Sequence, residues 1–344
     1  MQRATIADVA ATAGVSRAAV SKVLRNAHGV SPDMRTRVEH AVEQLGYRPR
    51  IAARAMRGST NTIGIVVNHL ANHFFAEVLE GVIEENSAEP YQLIVAPTAP
   101  SRSDGHEAIE SLYDREVDGI IAVAPLVDLE WLERMSSRVP IVVIGRHDEA
   151  GGYDTVVGDD AAGTEAAVHH LIDTGRTSIA HVTHADSHAR SDAGTPHAIR
   201  RDTYARVMRE SGLAAHTRLI WARFEEQPAY EATLRDIAEN GVPDAVFAGN
   251  DDAALGVLRA LHDIGATARD VALVGYDNTR IAANPAVSLT SVDQQGHAMG
   301  RTAFGLLRER IGGRREPARV TLPTALIIRR SSASSSQINQ ESQR

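Results

Sequence analysis

From Thr62 onward, short apolar segments alternate with amphipathic segments of helical length. Segments such as TIGIVV, DGIIAVAP and PIVVIGR are apolar almost throughout. Strands of this kind are buried on both faces, and a regular alternation of strands and helices is typical of parallel α/β sheets. Two such series, at about 62–160 and 161–290, therefore predict two doubly wound lobes.

After the second series, the chain is predicted to cross again between the lobes. SVDQQG and the strand pair around RVTLPTALIIRR lie where such crossings would fall. The predicted core spans 61–330, with lobe 1 at about 61–160 and 292–321 and lobe 2 at about 161–291 and 322–330. The segment 331–344 is polar and has no leucine heptads, so it predicts a disordered tail rather than a coiled coil.

The first 48 residues predict three short helices instead. Thr5 and Ser16 can cap the first two, Gly14 allows a tight turn between them, and Ser31 can cap the third. Two helices joined by so tight a turn match a helix-turn-helix, whose second helix fits the major groove of DNA. We therefore predict an all-α DNA-binding headpiece at 1–48.

The charge distribution agrees with a DNA-binding head. The whole chain carries a net charge of −8. Residues 1–60 hold ten basic and four acidic residues, a net charge of +6, whereas the remainder holds 26 basic and 40 acidic residues, a net charge of −14. A basic head on an acidic body indicates that only the head meets a polyanion.

Several classes of protein are excluded or disfavoured by composition. The chain has no cysteine, so disulfides, thiolate metal sites and cysteine nucleophiles are excluded. The sequence contains no run of 18 apolar residues, so no membrane span is predicted. The N-terminal segment MQRATIADVA lacks the apolar region of a secretory signal. We expect a cytoplasmic, nucleoid-associated protein without membrane contact.

Lys22, the only lysine in the chain, lies on the face of the predicted second helix that points outward. Arg17 lies about one and a half turns earlier, so both side chains can reach the groove and bond guanine O6 and N7. Ala18 can offer a methyl contact to thymine. Phosphate contacts are predicted at Thr5, Ser16, Ser21, Arg25 and Asn26. The alternative is an ordinary solvated helix face.

Three segments resemble the DNA-binding headpiece of the lactose-repressor (LacI/GalR) family: TIADVAATAGVSRAAVSKVL, VSPDMRTRVEHAVEQLGYRP and IAARAMRGSTNTIGIVV. Further landmarks, among them FFAEVLEGV, AVFAGNDDAALGVLRAL and LVGYDNT, extend the resemblance to about residues 4–330. The resemblance implies a two-lobed core similar to periplasmic binding proteins, and it assigns Arg17, Ala18 and Lys22 to major-groove readout. It also implies a hinge helix and linker at 49–60, which would fold on DNA and enter the minor groove through Ala53, Arg54 and Met56.

Three positions depart from the pattern of that family. Met56 stands where the family has a leucine wedge, and an apolar, flexible side chain can keep that role. Lys22 stands where Arg or His is common, which affects the preferred base. Ala19 stands where a threonine commonly contacts phosphate, so one positioning contact is lost.

Two lobes with a cleft between them predict a ligand site, because ligands of open α/β sheets bind beyond the carboxyl ends of the strands. That rule selects Phe74, Phe75, Arg146, Asn250 and Asp277, and the family resemblance adds Arg200, Phe224 and Gln294. Carboxylate, amide, arginine and aromatic groups suit a sugar, and they would also suit a nucleoside or a purine. Core packing or helix capping is the alternative role for individual members of this set.

Two other sequence patterns are not interpreted as metal-binding or catalytic sites. The segment HVTHADSHARSDAGTPH holds His181, His184, His188 and His197, which we expect in a solvated loop because no tight metal-ligand spacing recurs. The GDD at 158–160 is interpreted as structural, since no nucleophile lies near it, and no glycine-rich phosphate loop follows a strand. We therefore predict no catalytic residue, no metal and no cofactor.

Together these features predict a homodimeric, ligand-responsive transcriptional regulator. It would be a repressor of a carbohydrate-uptake or catabolic operon, with double-stranded operator DNA of pseudo-palindromic sequence as one partner and a sugar effector as the other. One alternative is a regulator that responds to a nucleoside or purine. A solute-binding transport protein is disfavoured by the basic head, and an enzyme is disfavoured because no nucleophile lies beside a base.

Overall fold

The computed structural model divides the chain into two compact units, 1–60 and 61–344. The structure describes residues 4–24, 28–47, 59–68, 70–87, 91–98, 105–149, 151–184 and 194–332. The predictions for Arg25, Asn26, Ala53, Arg54, Met56 and His188 lie outside the described residues.

The first unit contains helices α1 (Ile6–Ala13), α2 (Arg17–Leu24) and α3 (Pro32–Gln44). Thr5 opens α1 with a capping box, in which its backbone N–H donates to Asp8 Oδ2 at 2.7 Å. Gly14 ends α1 in the left-handed region, with a φ of 65°. The helices enclose a small core of Val9, Ala10, Ala13, Val20, Val23, Val38, Ala41 and Tyr47.

Lobe 1 of the second unit is a six-stranded parallel sheet with helices on its faces. Its elements are β1 (Thr62–Val67), α4 (His73–Asn86), β2 (Gln92–Pro97), α5 (His106–Tyr113), β3 (Gly119–Val123), α6 (Leu129–Ser136), β4 (Ile141–Ile144), β5 (Asp154–Gly158), and later α11 (Gly296–Ile311) and β11 (Arg319–Leu322). The strand order is β11-β5-β4-β3-β1-β2.

Lobe 2 is a second six-stranded sheet, parallel except for its last strand. Its elements are α7 (Asp160–Asp173), β6 (Ile179–Thr183), α8 (Pro196–Glu210), β7 (Arg218–Trp221), α9 (Glu226–Asn240), β8 (Ala245–Ala248), α10 (Asp251–Asp263), β9 (Ala272–Tyr276), β10 (Thr290–Asp293) and β12 (Ala325–Ile327). The order is β12-β10-β9-β8-β6-β7, with β12 antiparallel to β10. None of the described helices is long and apolar enough to cross a bilayer.

The chain crosses between the lobes after β5, after β10 and between β11 and β12. Asp293 still pairs with Ala325 in the second sheet, and Leu322 pairs with Gly158 in the first. The second and third crossings therefore lie slightly later than the predicted boundaries at 291/292 and 321/322. Each strand continues for as long as its neighbour offers backbone partners.

The predicted disordered tail begins too early at residue 331. Ser331 and Ser332 are buried, with 4% and 3% of their surface exposed. The hydroxyl of Ser331 accepts from the N–H of Thr290 at 2.8 Å, and that of Ser332 donates to the Thr290 hydroxyl at 2.7 Å. Both serines thus belong to lobe 2, because β10 offers polar partners beside them; residues 333–344 lie outside the described part.

Helices α4 and α11 pack at backbone contact in lobe 1. A Cβ atom on Gly300 would lie 2.0 Å from the carbonyl oxygen of Val78, and one on Gly81 would lie 2.0 Å from that of His297. Since the obstructing atoms belong to helix backbones, they cannot be moved as a side chain can. The two glycines therefore set the distance between the helices.

Replacing Gly300 with alanine should lower the free energy of unfolding by about 1–3 kcal/mol, since the helices must separate. Gly305 on the same helix has open space around its Cα, so Gly305→Ala should raise stability by up to about 1 kcal/mol through helix propensity. Urea denaturation of both variants measures the two effects. Shifts of the same sign would contradict the close packing.

Candidate functional site

Helix α2 presents a polar, partly cationic face to solvent. Arg17, Ala18 and Lys22 are all exposed, whereas Val20 and Val23 are buried against α1 and α3. The three predicted base-contacting side chains therefore share the free side of one helix. A helix anchored in this way can be presented to the major groove as a rigid body.

The side chains predicted to contact phosphate at α1 and α2 differ in whether their hydroxyl proton is available for a hydrogen bond to DNA. The hydroxyl of Ser16 accepts from the N–H of Ala19 at 3.1 Å, so its own proton is available to an outside acceptor. The hydroxyl of Thr5 donates to Asp8 Oδ2 at 2.8 Å, and hydrogen bonds from Thr5 lower the pKa of Asp8. A phosphate contact by Thr5 would have to replace that bond. Ser21 is half-buried.

A cavity of about 260 Å³ lies between the two lobes. Much of its wall is formed by residues that lie within three positions after the ends of six different strands. These include Asn68 after β1, Thr98 after β2, Leu126 after β3, Arg146 after β4, His184 after β6, and Arg223 and Phe224 after β7. The cavity thus lies where the strand-end rule places a ligand.

The cationic groups of the cavity wall are paired within the protein. Arg146 is buried, and its Nε donates to Asp148 at 2.5 Å while its Nη1 donates to the carbonyl of Val127 at 2.6 Å. Arg223 lies 3.3 Å from Glu225, which also lines the cavity. An incoming ligand therefore meets arginines whose charge is already compensated.

Beside the cavity, Arg200 organises a buried polar network. Its Nε donates to Asp160 at 2.7 Å, its Nη1 donates to the carbonyl of Gly249 at 2.7 Å, and its guanidinium stacks 3.5 Å from the ring centre of Tyr276. Burial acts to raise the pKa of Asp160, but the Arg200 and His147 contacts outweigh it and hold that pKa below its ordinary value. The network thereby keeps a charged pair stable inside the protein.

The same network connects two of the three crossings between the lobes. Asp160 follows the first crossing, and Gln294 lies at the second. The amide of Gln294 donates to Asp277 at 2.5 Å and lies 3.5 Å from Arg200 Nη2. Burial raises the pKa of Asp277 well above its ordinary value, which Arg200 opposes. Asp160 also lies 2.7 Å from Nε2 of His147 in lobe 1, so movement of one lobe against the other must rearrange that contact.

Comparison with known proteins matches both units. The family model "Bacterial regulatory proteins, lacI family" matches residues 5–50, and the model "Periplasmic binding protein-like domain" matches 168–332. The HTH-type transcriptional repressor PurR of Vibrio campbellii is 32% identical over 323 residues, which cover 92% of this chain and 95% of that protein. The chain belongs to the lacI family of bacterial regulatory proteins.

Other relatives and solved structures agree with membership of the lacI family. Catabolite control protein A of Priestia megaterium is 31% identical over 307 residues, covering 88% of this chain and 91% of its own. A structure titled "transcriptional regulator CelR-cellobiose complex" aligns with 29% identity and a TM-score of 0.68, over 96% of this chain and 100% of that one. The Lac repressor bound to ONPG, at 24% identity and a TM-score of 0.79, covers 96% and 100% and supports the fold.

These findings confirm the predicted family, the helix-turn-helix headpiece and the two-lobed α/β core of this lacI-family regulator. The family consists of DNA-binding transcriptional regulators, so transcriptional regulation is the function of the chain at that level. Among the described residues, no group of three His, Cys, Asp or Glu side chains is placed to hold a metal ion.

Of the eight predicted effector-binding residues, Phe75, Arg146 and Phe224 line the cavity. The other five, Phe74, Arg200, Asn250, Asp277 and Gln294, do not belong to its wall. Phe74 packs in the core of lobe 1, and Asn250 caps α10 by accepting from the N–H of Ala253 at 2.8 Å. Arg200, Asp277 and Gln294 are likewise engaged in hydrogen bonds within the protein.

The prediction of a solvated histidine loop is wrong for three of its four members. His181 is buried within β6, where it stacks 4.7 Å from Phe247, and burial lowers its pKa to about 4. His184 and His197 line the cavity, with ring centres 5.4 Å apart and Phe224 beside both. The available signal was the position of His184 directly after β6, which is a strand-end position of lobe 2, whereas His197 lies at the start of α8.

Proposed function

We propose that this regulator is a repressor that binds a pseudo-palindromic operator as a homodimer and changes its affinity for DNA when a neutral sugar binds between the lobes. The observation that carries the DNA-binding part is the exposed face of α2, where Arg17, Ala18 and Lys22 lie together on a helix that Ser16 caps. Two such helices in a dimer would read two half-sites about one DNA turn apart.

The pairing of charges in the cavity supports a neutral effector. Arg146 and Arg223 already have carboxylate partners, so a phosphate or carboxylate on the ligand would have to break an existing pair. Phe75 and Phe224 offer apolar ring faces that suit the C–H face of a sugar, and Asn68 and Thr98 offer polar groups for hydroxyls. At about 260 Å³ the cavity lies near the lower end of small-molecule sites, which favours a small sugar.

A purine or nucleoside is the second candidate for the effector. His184, His197 and Phe224 form an aromatic cluster on one wall of the cavity, with ring centres between 5.4 and 6.3 Å apart. A planar base could stack on such a surface. The similarity to relatives named as PurR also supports this candidate.

Thermal unfolding of the purified chain against a panel of ligands separates these candidates. The panel holds neutral monosaccharides and disaccharides, their phosphates, nucleosides and purine bases. A ligand at about 100 times its Kd stabilises the protein by roughly 2.7 kcal/mol, which is readily measured. We expect a neutral sugar to give the largest shift and Phe224→Leu to weaken its binding by up to about ten-fold. A response to sugar phosphates alone would contradict the proposal.

Replacing Lys22 with alanine should weaken operator binding by about 1–3 kcal/mol and relax the preference at one base pair in each half-site, since a base contact is lost. Selection of binding sequences by the wild type and the variant measures both effects. Lys22→Arg, which keeps a donor at that position, serves as the matched variant and should retain a preference. If Lys22→Ala weakens all sequences equally, Lys22 contacts phosphate instead.

A further inference from the structure

One face of α4 carries three titratable side chains that point towards lobe 2. His73, Glu77 and Glu80 are spaced by four and then three residues, so they form a single stripe along the helix. The opposite face of α4 packs within lobe 1, where Val78 and Gly81 contact α11. The stripe is therefore available for contact between the lobes.

The two ends of this stripe make polar contacts across the interlobe boundary. Nδ1 of His73 lies 3.3 Å from Oδ1 of Asp252, which is in the first turn of α10. Nη2 of Arg280, in the loop after β9, lies 2.6 Å from Oε2 of Glu80. These contacts join residues that are far apart in sequence and belong to different lobes.

Glu77, in the middle of the stripe, faces carboxylates. It accepts a hydrogen bond from the backbone of Arg280, but Asp251 and Asp293 lie close to it. Asp251 cannot turn away, because it already accepts from the N–H and the hydroxyl of Thr279, both at 2.8 Å. Burial, with Asp293 and Asp251 adding to it, raises the pKa of Glu77 to about 7.

The surroundings of the stripe hold more acidic than basic groups. Lobe 2 places four carboxylates at or just behind the surface that meets the stripe: Asp251, Asp252, Asp277 and Asp293. It places two arginines there, Arg280 and Arg329. From α11, His297 and Arg301 engage Glu84 within lobe 1. A proton taken up by Glu77 therefore reduces the repulsion between the lobes.

We propose that this contact is a proton-operated latch, in which protonation of Glu77 holds the lobes in the arrangement seen here and deprotonation loosens it. The inference goes beyond the proposed function, because it makes the lobe angle respond to pH as well as to an effector. The pKa of Glu77 is higher in the latched state than its ordinary value of 4.5. The latch is therefore strongest below about pH 4.5 and weakens as the pH rises through about 7.

The distance between the lobes in the full-length chain tests this directly. Since the sequence has no cysteine, Glu130→Cys in lobe 1 and Glu239→Cys in lobe 2 give two unique, exposed sites for spin labels. Pulsed electron paramagnetic resonance then reports the interlobe distance at pH 6 and at pH 8. Between these two pH values, the pKa difference of Glu77 lowers the ratio of latched to loosened molecules by at most about ten-fold. Because Glu77 is half-exposed and solvent screens its charge, we expect a several-fold change.

Three variants in the labelled background identify the responsible group. Glu77→Gln should keep the low-pH distances at both pH values, and Asp293→Asn should move the response to lower pH. Glu85→Gln is the matched control, because Glu85 is on the same helix but pairs with Arg301 and Arg308 within lobe 1, so the response should persist. Distances that do not change between pH 6 and 8 in the parent, or a full response in Glu77→Gln, would overturn the latch.

Discussion

Replacing Asp154 with alanine should lower the free energy of unfolding by about 3–5 kcal/mol, the cost expected when one partner of a buried ion pair is removed. Asp154 has no exposed surface, and it accepts from Arg310 at 3.0 Å, from Arg314 at 2.5 Å and from the backbone N–H of Ala318 at 2.8 Å. The side chain of Arg310 is only 9% exposed, so it would be left as a buried charge without this partner.

The effect should extend beyond the deleted side chain. Asp154 begins β5, and Ala318 directly precedes β11, so the carboxylate joins the strand before the first crossing to the strand before the third. Loss of these hydrogen bonds should therefore weaken the attachment of β11, the edge strand, to the first sheet. Hydrogen exchange at the backbone amides of β11 should therefore rise more than at β3, which lies inside the sheet.

Asp202→Ala is the matched control for this experiment. Asp202 pairs with Arg201 at 2.9 Å, but its side chain is 71% exposed, so its removal should change stability by less than about 1 kcal/mol. Urea denaturation compares the two variants. Equal, small losses would mean that burial of Asp154 does not determine the strength of its ion pairs.

The periodicity of the sequence predicted the fold well, because the fold depends on local patterns. Continuous apolar runs such as IVVI of β4 are fully buried, and the caps at Thr5 and Ser31 lie where the helices begin. These features depend on neighbours within a few residues. They can be recognised without any knowledge of the tertiary structure.

The composition of the cavity wall depended on contacts that the sequence does not show. The strand-end rule selected Phe75 and Arg146 correctly as wall residues, but the family resemblance that added Arg200 could not indicate that this side chain is engaged by Asp160, 40 residues away. The same applies to Gln294, which bonds Asp277 across 17 residues. Whether a polar side chain faces a ligand or a buried partner is decided by tertiary packing.

Operator binding should fall by roughly 10³–10⁵ between 50 and 200 mM salt, the range for a protein that makes about 6–10 phosphate contacts. The net charge of +6 on residues 1–60 supplies the attraction, and the net charge of −14 on the remainder opposes any contact between the body and DNA. A dimer brings two such heads to one operator. The binding free energy should therefore depend strongly on counterions released at the heads alone.

The slope of the logarithm of affinity against the logarithm of salt concentration can separate phosphate contacts from base contacts. Arg25→Ala, which removes a predicted phosphate contact, should reduce the slope by about one for each headpiece. Lys22→Ala should weaken binding but leave the slope nearly unchanged, because Lys22 is exposed on the face of α2 that we expect to meet bases. A shallow slope in the wild type would mean that phosphate contact does not drive binding. An equal fall in both variants would place Lys22 on the phosphate backbone.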